Sequence, residues 1–358
     1  MTGDLATRSK TGDRDMARAR ATLRDVAERC DVHLSTVSRV LNNKKGYAVS
    51  EEVADRIRRT AAELGYKTNP FAYSLRVNRS FTVGVLIPDL SNPIFPPIIR
   101  GIEHRLEQSG YTAILGDTDN RVEEERRIVE RLKARQTDGL ILATAHRADD
   151  LIRSCIDEGY HVVLINRSLD DDAVASVVND DGAGIAMAVR HLLDQGHRKI
   201  AHIAGPQEIS TGFRRYLAFM EAMQKEGLDP DEDLIAFCHN YSEKEGWAAL
   251  RGLFEREKPF TAVVAANDLL ALGCYDAIIE AGLSCPEDIS VTGYNDMPFS
   301  DKFKPPLTTV HIPLHKMGEE AASAMLKLIE QTPDKTRQHR VTPHLVVRGS
   351  TARCNGPR

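Results

Sequence analysis

From Phe81 onward, short apolar runs alternate with longer segments of helical periodicity. Eight apolar runs stand out: 83–87, 112–115, 139–142, 162–165, 176–178, 200–203, 262–265 and 289–292. Helical patterns lie between them, most clearly over 95–108, 122–135 and 182–195. Short runs that are buried on both faces and separated by helices are typical of parallel sheets. The pattern therefore predicts an α/β body with parallel sheets over residues 81–358.

A different pattern precedes this body, because residues 22–42 predict two short helices joined by a tight turn. Thr22, with Asp25 three residues later, is typical of a capping box, and Asp31 tolerates the positive φ that the turn needs. The apolar positions of the second helix face inward: Val37, Val40 and Leu41. Its polar positions are predicted to face outward: Ser35, Thr36, Ser38 and Arg39. A helix of this kind suits the DNA major groove, so an all-α helix-turn-helix head is predicted, with an ordinary helical bundle as the alternative that shape alone leaves open.

A third helix and a linker are predicted to follow the two-helix pattern. Ser50 is expected to cap the third helix, and Gly65 is expected to end it. Asn69 and Pro70 suit the N-cap and the first position of a further helix over 70–76. A helix this short is unstable alone in water, so we expect it to order only against DNA or its symmetry mate. An extended connector is the alternative.

Charge is distributed unevenly between the two parts of the chain. Residues 20–80 carry 12 Lys and Arg against 7 Asp and Glu, whereas residues 81–358 carry 31 against 42. A basic head on an acidic body is expected if only the head approaches phosphates. The excess in the head is modest, so a chance imbalance of surface charge is the alternative.

Cysteine spacing and hydropathy point to the cytoplasm. The six cysteines show no C-x-x-C spacing, so reduced thiols are expected rather than a disulfide framework or a zinc site. No apolar run approaches the roughly 18 residues of a membrane helix. The N-terminus lacks the apolar core of a signal peptide, which argues against a secreted binding protein. Residues 1–19 are predicted to form a disordered arm, and translation starts at Met1 or Met16.

Four motifs resemble the LacI/GalR (lactose-repressor/galactose-repressor) family of bacterial regulators: T-V-S-R-V-L-N (36–42), V-S-E-E (49–52), E-L-G-Y (63–66) and N-P (69–70). The resemblance covers nearly the whole chain from about residue 20. The chain departs from the family at two positions. Asp31 stands where the family usually has glycine, and His33 stands where it usually has serine. Histidine is a poorer N-cap than serine.

The resemblance implies how the head meets double-stranded operator DNA. The second helix would enter the major groove with Leu34, Ser35 and Arg39 reaching bases, and Arg39 is the best candidate for a guanine contact. Phosphate contacts are implied for Thr36, Ser38 and Asn42. Leu75 of the linker helix would be the wedge that enters the minor groove. The complete set predicted to contact DNA is Leu23, His33, Leu34, Ser35, Thr36, Ser38, Arg39, Asn42, Asn69, Ala72 and Leu75.

Polar residues in the loops after the predicted strands are the candidates for ligand binding, because α/β sheets bind ligands at their carboxyl ends. Amides, carboxylates and one arginine beside aromatic rings suit a hydroxyl-rich, sugar-like effector. With the positions that the resemblance implies, the predicted set is Asp89, Asn92, Phe95, Thr211, Arg215, Tyr241, Asn267 and Asn295. Asn295 stands where many family members have aspartate, which leaves the ligand class open. Asp89 as a loop cap and Asp268 as a helix N-cap are the structural alternatives.

The resemblance also implies the domain organisation and the mechanism. The head would span 20–67, the linker 68–80, and the body would have two lobes as in periplasmic sugar-binding proteins. The predicted lobes are 81–180 plus 310–322, and 181–309 plus 323–358. The effector would close the lobes, move the linkers of a homodimer apart and release the DNA, which is a population shift between two states. Residues 349–358 lack the apolar heptads of a tetramerising coiled coil, so the assembly is expected to stop at the dimer.

Several other functions find little support in the sequence. No G-x-G-x-x-G motif or P-loop appears, and no nucleophile or carboxylate pair has a catalytic context. His191, His197 and His202 lack metal-ligand spacing, so no metal and no cofactor are expected. The interpretation is a transcriptional repressor and not an enzyme. The alternatives are a sugar-sensing or transport-type binding protein without DNA function, and an enzyme of sugar metabolism.

Overall fold

The computed structural model of the protein describes residues 21–41, 49–66, 79–171, 173–332 and 337–354. The chain divides into two compact units, Met1–Asn78 and Arg79–Arg358, here called the head and the body. Predictions for the arm at 1–19 and for the linker helix at 70–76 lie outside the described residues. The same is true of four predicted DNA contacts: Asn42, Asn69, Ala72 and Leu75.

The head contains three helices in its described residues: α1 (Leu23–Cys30), α2 (Leu34–Leu41) and α3 (Glu51–Glu63). Each helix contributes one completely buried apolar side chain to a common core, namely Val26, Val37 and Ile57. Helices of 8 to 13 residues are marginal alone in water, so packing of these apolar faces stabilises them.

The predicted ends of the head helices are largely confirmed. The Thr22 hydroxyl accepts a hydrogen bond from the Asp25 amide at 3.3 Å, and the Thr22 amide donates to the Asp25 carboxylate at 2.7 Å. Asp31 has a φ of 48° in the turn, and Gly65 has a φ of 64° after α3. The expected cap by Ser50 is wrong in detail. Ser50 occupies the N-cap position of α3, but its side chain makes no capping hydrogen bond.

The described residues of the body form two six-stranded sheets. The first has the order β11-β5-β4-β3-β1-β2 and the second β12-β10-β9-β8-β6-β7. All strand pairs are parallel except β10 with β12. The first sheet contains β1 (Thr82–Ile87), β2 (Thr112–Asp117), β3 (Gly139–Leu142), β4 (Val162–Ile165), β5 (Ala175–Asn179) and β11 (Gln338–Val341). The second contains β6 (Ile200–Ala204), β7 (Ile235–Phe237), β8 (Ala262–Ala265), β9 (Ser290–Asn295), β10 (Thr308–His311) and β12 (His344–Val346).

Helices cover these sheets and complete the predicted α/β architecture. They are α4 (Phe95–Glu107), α5 (Val122–Ala134), α6 (Asp150–Asp157), α7 (Asp181–Asp194), α8 (Ser210–Lys225), α9 (Glu243–Phe254), α10 (Asp268–Glu280) and α11 (Leu314–Ile329). The eight strands and three helices expected from the apolar pattern are confirmed, with ends within three residues. None of the helices in the described part of the chain is both long and apolar enough to cross a membrane.

The predicted boundary between the lobes needs correction after residue 310. The sequence predicts that residues 323–358 belong to the second lobe, but α11 runs on to Ile329 and packs against α4 and strands β3, β4 and β5 of the first lobe, and β11 pairs with β5 of the first sheet. Conversely, residues 310 and 311 are predicted to belong to the first lobe, but they are part of β10, which lies wholly in the second sheet. The helix α11 has one continuous buried face, so it belongs to a single lobe. The strand orders of the two sheets then show that the chain crosses between the lobes three times: after β5, after β10, and between β11 and β12.

Helices α4 and α11 meet at glycines that allow their backbones to touch. A Cβ on Gly101 would lie 2.0 Å from the His315 carbonyl oxygen, and a Cβ on Gly318 would lie 2.1 Å from the Ile98 carbonyl oxygen. Gly101→Ala is therefore expected to lower the free energy of unfolding by about 1–3 kcal/mol, measured by urea denaturation. The control is Gly252→Ala in α9, where nothing lies within 4 Å of the added Cβ. Equal losses in both variants would contradict this account of the contact.

Candidate functional site

Helix α2 presents most of its predicted DNA-contacting side chains at the surface of the head. Leu34 is 44% exposed, and Ser35, Thr36 and Arg39 are partly exposed. Ser38 is the exception, because only 8% of it is exposed. The expectation that Ser38 faces outward is therefore wrong. Its side chain is buried beside Val37, at the edge of the apolar face of the helix. Leu23, predicted to contact DNA from α1, is partly buried against the head core.

His33 forms the N-cap of α2 through its imidazole ring. Its Nδ1 accepts a hydrogen bond from the Ser35 amide at 3.2 Å and lies 2.8 Å from the Ser35 hydroxyl. Its carbonyl accepts from the Thr36 amide at 2.8 Å. The ring nitrogen thus takes the role that a serine hydroxyl usually has, which requires the tautomer with the proton on Nε2. That N–H is the remaining donor of the ring.

A cavity of about 170 Å³ lies between the two lobes of the body. Loops after β1, β2, β3 and β4 line one side, and loops after β6, β7, β8 and β9 line the other. Every predicted effector residue lines it: Asp89, Asn92, Phe95, Thr211, Arg215, Tyr241, Asn267 and Asn295. The fold therefore brings together residues more than 200 positions apart, as expected from the rule that ligands bind at the carboxyl ends of parallel strands.

Arg215, on α8, is the most constrained charged group in the cavity. Its Nε donates to the Asp181 carboxylate at 2.8 Å, and its Nη1 donates to the Ala266 carbonyl at 2.8 Å. The guanidinium also lies 3.9 Å from the ring centroid of Tyr294. Burial opposes the charge, but the Asp181 carboxylate raises the pKa of Arg215 above its usual value. The side chain is thus fixed as a charged donor, at 2% exposure.

Tyr241 forms an aromatic wall of the cavity on the second lobe. Its hydroxyl donates to the Thr211 hydroxyl at 3.4 Å, and burial raises the pKa of the phenol. The ring lies so close to the Gly205 backbone that a Cβ there would be 2.4 Å from the Tyr241 hydroxyl oxygen. Because Gly205 has no side chain, the Tyr241 ring can pack against its backbone and line the cavity. The ring is flat and apolar with a polar edge, which suits the apolar face of a sugar ring.

Asn267 caps α10, because its Oδ1 accepts from the Leu270 amide at 2.9 Å. Its amide nitrogen is left as the group that can donate to a ligand. The alternative that Asp268 caps this helix is wrong. Asp268 is fully buried, where its carboxylate accepts from the Met297 amide at 2.7 Å and from the Thr309 hydroxyl at 2.5 Å.

Asn295 lines the cavity and carries a buried amide oxygen. Its backbone has a φ of 109°, and its buried Oδ1 makes no hydrogen bond to any described residue. A buried acceptor without a partner is unfavourable by about 1–3 kcal/mol, which a ligand hydroxyl donating to it would offset.

The first lobe supplies a capped loop and an aromatic ring. The Asp89 carboxylate accepts from the Ser91 amide at 2.8 Å and from the Ser91 hydroxyl at 2.6 Å, so the alternative of a loop cap is confirmed. Asn92 is buried, and its Oδ1 accepts from the Ile94 amide at 3.3 Å. Phe95 is buried as the first residue of α4. Asp89 thus both shapes the loop and lines the cavity.

The residues after β4 were missed from the sequence, although the same rule points to them. Arg167 is 8% exposed and lines the cavity. Within the described part of the chain its guanidinium makes one hydrogen bond, to the Thr144 carbonyl at 3.1 Å, and no ion pair. Glu125 is nearby and accepts a hydrogen bond from the Thr144 hydroxyl. Burial raises the pKa of Glu125 and lowers that of Arg167. Asn166 precedes Arg167 with a φ of 65°.

Burial of Asp268 leads to a prediction about pH. It raises the pKa of this carboxyl to about 7, against about 3.9 in an unfolded chain. Because the folded pKa is the higher one, the stability that Asp268 contributes is present below pH about 4 and is lost as pH rises to about 7. Asp268→Asn should remove this loss. The variant is therefore expected to gain stability relative to the wild type between these pH values, measured by urea unfolding. Parallel curves for the two proteins would contradict the assignment.

A chain with a helix-turn-helix unit and a two-lobed body around a polar cavity belongs to the class of ligand-binding DNA regulators. Residues 22–69 match the description "Bacterial regulatory proteins, lacI family", and residues 189–351 match "Periplasmic binding protein-like domain". The chain is 33% identical over 330 residues to the ribose operon repressor of Halalkalibacterium halodurans, covering 92% of this chain and 97% of that protein. The protein belongs to the LacI family of bacterial regulators, as the sequence motifs predicted.

Other relatives agree in sequence and in structure. The repressor PurR of Salmonella paratyphi B is 32% identical over 341 residues, which is 94% of this chain and 98% of that protein. A lac repressor dimer bound to operator and the anti-inducer ONPF superposes with a TM-score of 0.81 at 27% identity, over 93% of this chain and all of that one. A LacI-family regulator of Enterococcus faecium with bound ribose gives 0.66 at 30% identity, over 76% of this chain and all of that one.

Proposed function

We propose that this protein is a sequence-specific repressor whose binding to operator DNA is controlled by a sugar or a sugar derivative. The observation that carries the proposal is the cavity. Both lobes supply it with buried hydrogen-bonding side chains in the same chain that contains a helix-turn-helix head. The named relatives are repressors, and the Enterococcus faecium structure contains ribose, which supports the ligand class.

The head would read DNA with α2 in the major groove. Arg39, Leu34 and Ser35 are accessible on this helix, and Arg39 has the length and the planar donors to reach the edge of a guanine. The His33 Nε2 proton and Thr36 would contact phosphates. The chain would act as a homodimer, since two-fold symmetry supplies two half-sites about one helical turn apart. A protein that binds chromosomal DNA in a bacterium would be located in the cytoplasm.

The effector would be held by groups of opposite hydrogen-bonding character. Arg215 and the Asn267 amide nitrogen would donate, whereas Asn295 Oδ1 would accept from a hydroxyl. Tyr241 and Phe95 would pack on apolar faces of the ligand. The named relatives are repressors, which supports a cavity that binds a ligand without transforming it, so we propose no enzymatic activity.

Ligand control would act through the segments that connect the lobes. A ligand that contacts both lobes stabilises their closed arrangement, and the three crossings are where the backbone angles can change. Closure would shift the population of the dimer between a state that binds operator and one that does not. Whether ligand releases DNA or recruits it depends on which state it prefers.

The direct test combines a thermal-shift screen with DNA binding. Purified protein is screened against sugars, sugar acids and nucleosides, and the ligand that raises the melting temperature is added to a salt-dependent gel shift on the protein's own upstream DNA. We expect that ligand to change operator affinity. A protein that binds a sugar but never shifts its upstream DNA would instead be a sensor or transport-type binding protein, which is the alternative function.

A further inference from the structure

We propose that His104, His315 and Glu319 form a binding site for a divalent transition-metal ion such as Zn²⁺ on the outer face of the first lobe. These three side chains, here called the His-His-Glu cluster, lie on α4 and α11 and are not among the residues that line the effector cavity. The proposal is independent of DNA and effector binding, and it changes the expectation from the sequence that the chain holds no metal.

The ligand atoms of the cluster are already close to the spacing of a metal site. His104 Nδ1 lies 3.0 Å from Glu319 Oε1, and His315 Nδ1 lies 3.8 Å from the same oxygen. All three ligand atoms fall within 4.8 Å of one another. Zinc binds nitrogen and oxygen at about 2.0–2.2 Å, so ligands of a tetrahedral ion are about 3.4 Å apart. Side-chain rotations that move these atoms by about 1 Å would complete the site.

Helix packing, rather than loop conformation, fixes the positions of the three ligands. His315 and Glu319 are one turn apart on α11 and therefore project from the same face. His104 comes from α4, whose backbone touches that of α11 at Gly101 and Gly318. The side chains of the cluster are 37% to 55% exposed, so an ion can enter from solvent without any opening of the lobe.

The chemistry of the cluster favours zinc over the abundant hard cations. Two imidazoles and one carboxylate form a donor set typical of Zn²⁺ with an open fourth position, which water would fill. Calcium and magnesium need more oxygen ligands. Gln108 lies 3.2 Å from His104 Nε2. When Nδ1 binds metal, Nε2 carries the proton and can donate to the Gln108 amide oxygen after an amide flip, which would orient the ring.

Metal would join two helices at a crossing between the lobes. Helix α11 begins three residues after β10 ends in the second sheet, and His315 lies in its first turn. An ion held by the cluster would tie that turn to α4. Because the unfolded chain lacks the assembled site, metal should stabilise the folded protein by mass action.

The test uses the full-length protein, stripped with EDTA, desalted and titrated with ZnCl₂ in a calorimeter. We expect one ion per chain, with an affinity that falls at least about 100-fold in each of His104→Ala, His315→Ala and Glu319→Gln. The matched control is His161→Ala, which removes a histidine elsewhere in the first lobe and should leave zinc binding unchanged. Melting temperatures without metal verify that the variants are folded, and Glu319→Gln keeps the shape of the side chain.

A second titration distinguishes the cluster from the cysteines. Co²⁺ bound by a tetrahedral site gives visible absorption bands, and these are expected to persist when the partly buried Cys285 and Cys354 are replaced by serine. Absence of saturable zinc binding in the wild type would overturn the proposal. So would binding that is unchanged in His315→Ala and Glu319→Gln, or that disappears in the cysteine variant.

Discussion

Arg215→Ala is expected to abolish the response of the protein to its effector and to lower the free energy of unfolding by about 3–5 kcal/mol. The first effect follows from the lost donor in the cavity. The second follows from Asp181, which is 5% exposed and would be left as a buried charge without its partner. Urea denaturation measures the stability, and a gel shift with increasing effector measures the response.

The two effects of Arg215→Ala can be separated by removing both charges. The double variant Asp181→Asn with Arg215→Met leaves no unpaired buried charge, and such replacements of buried ion pairs are often neutral in stability. We expect it to recover most of the lost stability and to bind operator normally, but not to respond to effector. A double variant that leaves the operator at the effector concentration of the wild type would show that Arg215 does not contact the ligand.

The architecture of the body was predictable because most of its strands carry an apolar run, and the central ones, such as β3, β4 and β8, are buried on both faces. Each short apolar run, such as 139–142 or 262–265, could be assigned from composition and length alone. The lobe boundary was not predictable in the same way. Strand β11 has the sequence Q-H-R-V, with one buried residue, Val341, so it lacks an apolar pattern. Its place in the first sheet depends on pairing with β5, which only the folded chain reveals.

The candidate site was predictable where a general rule applied and not where local geometry decided. The strand-end rule collected Asn267 and Asn295, yet the same rule should have added Arg167 after β4. Helical periodicity placed Val37 inside but left Ser38 outside, because a small polar residue at the edge of an apolar face carries no signal of its own burial. The sequence could not show which neighbour, Asn267 or Asp268, caps α10.

The His-His-Glu cluster was invisible in the sequence for a different reason. His315 and Glu319 have a helical spacing, but two residues one turn apart are common on helix surfaces and rarely indicate a site. The third ligand, His104, lies more than 200 residues away along the chain. It joins them because two glycines let α4 and α11 touch. Metal sites assembled across helices therefore need the packing to be known before the ligands can be grouped.

Arg39→Ala is expected to weaken binding to the specific operator by about 2–6 kcal/mol. A bidentate contact of arginine with guanine contributes about 1–3 kcal/mol of discrimination, and the proposed dimer would lose it in both half-sites. Binding to random DNA should change much less, because phosphate contacts supply most of it. Fluorescence anisotropy with labelled operator and scrambled duplexes, at matched salt, measures both affinities.

A control from the same head makes the interpretation of Arg39 specific. Arg58→Ala removes an arginine from α3 that is half exposed and paired with Asp55, so it tests loss of charge away from α2. Arg58→Ala is expected to lower the affinity of the protein for the operator and for the scrambled duplex slightly and equally. In Arg39→Ala the preference for one base pair per half-site should also relax, which an operator series with single substitutions would reveal. If Arg39→Ala lowers the affinity for the operator and for the scrambled duplex equally, this side chain contacts only phosphate. Base recognition must then come from other residues of the head.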